Sequence, residues 1–191
     1  MLSSFFIKCN FYFYLIISTY NNRIQTDVLT LQPNEYGFEP QYFFYEKTYS
    51  HSLYNWEFTT TRLRTGYIEE QYVNLSPNRD GAGEAYLEYQ FDKPIYEIDV
   101  NLSFWSASEF YKTGDTAYLQ YKDSNGEWVT LLDLLNCGLP TDRTNQKYFE
   151  LEILEGTYEI RFISNVLDHT STRNKGRICI GEIKFVNWSI E

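Results

Sequence analysis

The chain has 191 residues, 43% of them apolar and 19% aromatic, and a formal net charge of -10. That length holds one large domain with a full core; the acidic balance excludes a basic nucleic-acid binder, and the apolar and aromatic content argues against wide disorder. With 3 Cys and 2 His, Cys/His metal clusters and disulfide frameworks are excluded too.

The chain opens on a strongly apolar run, Phe5 to Ile17, broken by Lys8 and Asn10. It is shorter than the roughly 20 residues of a membrane-spanning helix, so no transmembrane span is expected. Its length suits the core of a secretory signal, but no basic residue precedes it and no small-residue cleavage site follows. A degenerate signal, a buried strand and an extension from a truncated reading frame all remain open. Residues 1–35 are expected to form a separate apolar segment, and residues 36–191 a β-sandwich domain.

From Val28 onward, short apolar runs alternate with turn residues such as Pro33-Asn34, Pro77-Asn78, Asp80-Gly81, Lys93-Pro94, Glu155-Gly156 and Lys175-Gly176. That rhythm marks a sandwich or barrel. In residues 85–91, Ala85, Leu87, Tyr89 and Phe91 share one face, while Glu88 and Gln90 share the other. After Pro94, Tyr96, Ile98, Val100, Leu102 and Phe104 alternate with Glu97, Asp99, Asn101 and Ser103, predicting a strand with an acidic solvent face. Asp123-Ser124-Asn125-Gly126 joins Tyr118–Lys122 to Trp128–Leu132 as a hairpin. Residues 133–136 read as a short helical turn. Tyr158, Ile160 and Phe162 form the inward face of another strand. Ile178 and Ile180 share one parity, and Ile183 and Phe185 the other, so a β-bulge is expected at Gly181-Glu182. Eight to ten strands make an all-β, two-sheet antiparallel sandwich.

Three stretches carry a family resemblance. Gly37-Phe38-Glu39 with Trp56-Glu57-Phe58 looks like an opening strand, Tyr118–Leu132 like a central hairpin, and Ile178–Phe185 like a final strand. Together they resemble jelly-roll domains of the galactose-binding-like, carbohydrate-binding-module type found in secreted and surface proteins of bacteria. The resemblance implies a non-catalytic module that binds a glycan or other cell-surface component, acting outside the cell. It also implies a structural calcium, for which Glu39 or Glu57 with Glu182 would supply carboxylates, and Asp80 a loop ligand. The alternative is a structural or protein-interaction module, a fragment of a larger surface protein or extracellular hydrolase.

The residues themselves offer little catalysis. No nucleophile elbow, zinc-protease motif or phosphate loop is present. His51 and His169 fall in loop-like sequence, and adjacent Glu69 and Glu70 point to opposite faces of a strand. Aromatic side chains are the stronger signal, because sugar rings stack on flat aromatic faces. Among Trp56, Trp105, Tyr111, Trp128 and Trp188, the loop after Phe104 stands out: it holds Trp105, Glu109 and Tyr111 as candidate ligand-binding residues. Arg62, Arg64 and Arg173, with Lys175 and Arg177, are candidates for binding an acidic sugar or phosphate. Cys179 is expected as a buried free thiol.

Overall fold

The computed structural model describes residues 23–32, 49–53, 55–64, 67–68, 71–77, 83–107, 109, 111–166 and 176–190. The described residues form ten strands and no helix: β1 (Arg23–Leu31), β2 (Tyr49–Leu53), β3 (Trp56–Arg64), β4 (Tyr67–Ile68), β5 (Val73–Leu75), β6 (Glu84–Phe104), β7 (Thr116–Lys122), β8 (Trp128–Asp133), β9 (Lys147–Asn165) and β10 (Ile178–Ile190). Every pairing is antiparallel.

Two strands are too long for one layer. β6 has 21 residues and β9 has 19. At about 3.3 Å per residue, β6 would extend about 70 Å if straight, against a radius of gyration of about 16 Å for a domain of this length. Both strands therefore pass from one layer into the other. Residues 84–91 of β6 pair with β3 and with residues 159–165 of β9, and β7 and β8 continue that layer. Residues 95–104 of β6 pair with β10 and with residues 147–152 and 157 of β9; β1 and β5 lie on the far side of β10. The corner lies where the register shifts, between Gln90 and Ile95 and again before Glu97. Pro94 has no N–H to donate, and at this break in the ladder none is required.

The two layers close on an aromatic core. The Phe185 ring of the second layer lies 4.7 Å from Phe91 and 5.7 Å from Tyr89 of the first. Leu87, Phe162, Ile98, Val100, Leu102, Ile180 and Ile183 are fully buried around them. The bulge expected in the last strand is present: Ile180 pairs with Leu102 and Ile183 with Val100, so Gly181 and Glu182 oppose Asn101. Cys179 is buried, and its sulfur accepts from Asn74 Nδ2 at 3.8 Å.

Four expectations need correction. Residues 23–31, expected within the separate N-terminal segment, pair as β1 with β10, and Leu29 and Leu31 are in the core. Tyr96 does not share the buried face with Ile98; Ile95 takes that place because the ladder is irregular between Ile95 and Glu97. Asp99 is not a solvated acid but a buried one, with Oδ2 accepting from Lys184 Nζ at 2.7 Å. Tyr158 leaves the inward face of its strand: Ile160 and Phe162 are buried, while Tyr158, next to the corner, is 54% exposed.

Candidate functional site

Trp105 follows directly on β6, at the end of the second layer. Its N–H donates to the Arg177 carbonyl (3.0 Å), the Phe104 N–H donates to the Pro140 carbonyl (2.8 Å), and Ser106 bridges to Asp142. Three chain segments therefore meet at the indole. The Tyr72 ring stands edge-on to it at 5.6 Å. The guanidinium groups of Arg143 and Arg177 lie over it, 4.5 and 5.0 Å from the ring centroid. The half-buried ring is thus already partnered by the protein's own cations.

The rest of this loop is built inward. The Glu109 side chain is 1% exposed. Its carboxylate accepts from Arg177 Nε at 2.8 Å and from the Arg177 backbone N–H at 3.0 Å. Tyr111 packs on Phe104 at 5.6 Å. Its hydroxyl is buried with no hydrogen-bond partner among the described residues. Burial, with the charges of Glu109 and Asp115, pushes this phenol well above its ordinary range. Trp105, Glu109 and Tyr111 are therefore brought together with Arg177, as a packed cluster.

The other candidates lie elsewhere. Arg62 and Arg64 sit on β3 opposite Glu88 and Tyr86, in the first layer. Arg173, Lys175, Glu39, Asp80, Glu69, Glu70 and His169 lie outside the described residues. Trp56 is buried, and Trp128 and Trp188 are half-buried. Glu57 accepts from Ser52 Oγ at 2.6 Å, and its backbone N–H donates to Asp92 at the corner. Glu182 is bonded by Gln32 and lies at the bulge opposite Asn101. Glu57 lies by Asp92 at the corner of β6 and Glu182 opposite Asn101 beyond it, so the two mark different stretches of that strand. Among the described residues, no cluster of three His, Cys, Asp or Glu side chains is placed to hold a metal. No helix among them is long and apolar enough to cross a membrane.

His51 lies on β2, stacked on Phe58 at 4.7 Å, with Nε2 3.1 Å from Thr60 Oγ1. Burial lowers its pKa below the ordinary 6.5. Its surroundings are those of a packed ring on a strand.

An open cleft of about 330 Å³ lies between the β7–β8 turn and the bend of β9. Lys122, Asp123 and Ser124 form one wall, and residues 155–159 form the other. The turn is rigid. Gly126 N–H donates to the Asp123 carbonyl (3.0 Å), and Asp123 N–H donates to the Glu127 carbonyl (2.9 Å). Gly126, at φ 86, takes the left-handed position, so one residue more than a two-residue turn is used. The Asp123 carboxylate accepts from the N–H groups of Glu127 (2.8 Å) and Asn125 (2.9 Å), which hold its pKa below the ordinary value.

The opposite wall is equally fixed. Gly156 has φ 71, and a Cβ there would lie 2.7 Å from Cε1 of Tyr96. Only glycine lets the bend close over that ring. Thr157 Oγ1 donates to the Lys122 carbonyl at 2.7 Å, tying the walls together. Lys122 Nζ donates to both Glu159 oxygens at 3.0 Å. Lys122 also lies 5.6 Å from the Trp128 ring, which Arg161 covers at 4.0 Å. Glu155 and Tyr158 remain exposed in the cleft. The sequence signal for this place was Glu155-Gly156, which reads as a turn; that the turn turns Tyr158 outward is visible only in three dimensions.

No protein-family model matches the chain, and no curated protein matches it. Solved structures of similar architecture include the module CpGH89CBM32-4 of Clostridium perfringens in complex with GlcNAc-α-1,4-galactose: 15% identity, TM-score 0.34, covering 58% of this chain and 69% of that one. The K2 cleaved adhesin domain of Lys-gingipain is 10% identical, with TM-score 0.47, over 83% of this chain and 99% of that one. The CBM22-1 xylan-binding domain of Paenibacillus barcinonensis Xyn10C is 10% identical, with TM-score 0.38, over 87% and 97%. The strand pairings described above define the chain as an antiparallel β-sandwich.

Proposed function

We propose that the chain is a non-catalytic carbohydrate-binding module and that the Tyr158 cleft is its binding site. One observation carries the reading: a Tyr ring 54% exposed beside an open cleft whose other walls are hydrogen-bonding groups held in place. A sugar presents an apolar C–H face that stacks on such a ring, and hydroxyls that the polar walls can bind. A volume of about 330 Å³ is at the small end of ligand sites, which suits a short saccharide.

The carboxylates of the cleft favour binding over hydrolysis. A glycosidase needs one carboxyl raised to act as acid. Asp123 is shifted the opposite way and Glu159 is committed to Lys122 through both oxygens, which leaves the exposed Glu155 without the second carboxyl that the reaction needs. A module that recognises polymeric glycans fits action at a cell surface or in the extracellular medium.

The test is a glycan array probed with the wild type, Tyr158→Ala and Trp105→Ala. Loss of the stacked ring should weaken binding about tenfold, which is the effect of about 1.4 kcal/mol. Trp105→Ala should bind as the wild type does. Binding to no glycan, or binding indifferent to Tyr158, would refute the proposal.

A further inference from the structure

The charges of the cleft point to the class of saccharide, given the carbohydrate reading above. Four ionisable side chains besides the tyrosine line it: Lys122, Asp123, Glu155 and Glu159. Lys122 and Glu159 neutralise each other through two 3.0 Å hydrogen bonds. Asp123 is held ionised by the turn amides, and Glu155 stands exposed on the opposite wall. Arg161, on the same strand as Tyr158, is turned to the Trp128 face and to Gln120 Oε1 at 2.8 Å. Among the described residues neither the Asp123 nor the Glu155 carboxylate, one on each wall, is in an ion pair, in a chain of net charge -10.

We infer that the cleft selects saccharides bearing a free amine, of the glucosamine type. A protonated amine on a sugar stacked over Tyr158 sits between Asp123 and Glu155 and is attracted by both. A uronate or sulfate in the same place is repelled by both. Removal of an N-acetyl group from the ligand therefore strengthens binding, whereas a purely stacking site would be indifferent to it or would favour the acetylated sugar.

Calorimetric titration with three tetrasaccharides tests this: β-1,4-glucosamine, its fully N-acetylated form, and galacturonate. The titrations are run at about pH 5.5, which keeps the sugar amine protonated. Two exposed charge pairs predict a preference of roughly two- to thirtyfold for the amine over the acetylated form. Raising ionic strength from about 0.02 M to about 0.5 M should erase most of that preference, because the screening length falls well below 10 Å. Glu155→Gln should reduce the preference for the amine over the acetylated form. Tyr158→Ala should weaken both. Galacturonate should bind worst.

Equal affinity for the amine and acetylated forms, with both lost in Tyr158→Ala, would overturn this inference and leave the carbohydrate-binding proposal standing. Amine binding that survives Tyr158→Ala would mark general attraction to an acidic protein and also overturn it. No binding of any tetrasaccharide would overturn both.

Discussion

Replacing Arg177 by Met should destabilise the protein far more than replacing its partner Glu109 by Gln. The two ends of this ion pair differ in burial: the Glu109 side chain is 1% exposed, and the Arg177 side chain is 27% exposed. In Arg177→Met the carboxylate stays buried and keeps only the backbone N–H donor at 3.0 Å. Removing one partner of a buried pair costs about 3–5 kcal/mol, because the remaining charge is uncompensated. In Glu109→Gln the Arg177 guanidinium can still reach water and still lies over Trp105, so the cost should be about 1–2 kcal/mol. For a domain of this size, about 2–4 °C per kcal/mol puts the melting fall of Arg177→Met at roughly 6–20 °C. Urea unfolding of both single variants and the double variant closes a cycle. The double variant should cost less than the sum of the singles, with a coupling of about 0.5–3 kcal/mol. Equal losses for the two single variants, each under about 1 kcal/mol, would mean an ordinary surface pair and refute the packed-cluster description of the Trp105 loop.

Gly156→Ala forces an L-residue into φ 71 and drives its Cβ against Tyr96; the two effects together should cost about 2–5 kcal/mol in urea unfolding. Restoration of much of that loss by Tyr96→Ala in the same background would identify the ring as the obstacle. His51 has its folded pKa lowered below 6.5 by burial, so the unfolded chain binds the proton more readily. Stability should fall as pH drops from 6.5 through the lowered value, and His51→Phe should flatten that part of the urea-midpoint profile; a wild-type profile flat there would contradict the burial of the ring. Glu57 and Glu182 are engaged by Ser52 and Gln32 at separate places along β6, so melts in calcium and in chelator should coincide. A rise of roughly 5–10 °C in calcium, the scale of about 2.7 kcal/mol, would show that an ion site exists.

Much of the fold was legible because period 2 and turn chemistry are local. The face Ala85, Leu87, Tyr89 and Phe91 is buried as the alternation requires, and the change of parity between Ile180 and Ile183 located a bulge to the residue. Pro94 and Gly156 were misleading in the same way. Each reads as the end of a strand, yet each lies inside one strand that crosses from layer to layer. A break in the ladder at a corner tolerates both residues, and nothing local distinguishes a corner from an end. The site was less legible. An aromatic just after a strand, Trp105, is an obvious candidate by sequence, but Arg143 and Arg177 come from distant segments to cover it. Tyr158 has the parity of a core residue. Only the position of the corner, set by pairing between β6 and β9, puts it beside the cleft.

The most direct measurement of the central claim is a saccharide titration followed by residue-resolved amide chemical shifts. With a glucosamine tetrasaccharide, the proposal predicts saturable shifts concentrated at residues 122–124 and 155–159, with the Tyr158 ring resonances among the largest movers. Shifts centred instead on Trp105, Glu109 and Arg177, or scattered along the acidic surface without saturating, would contradict it.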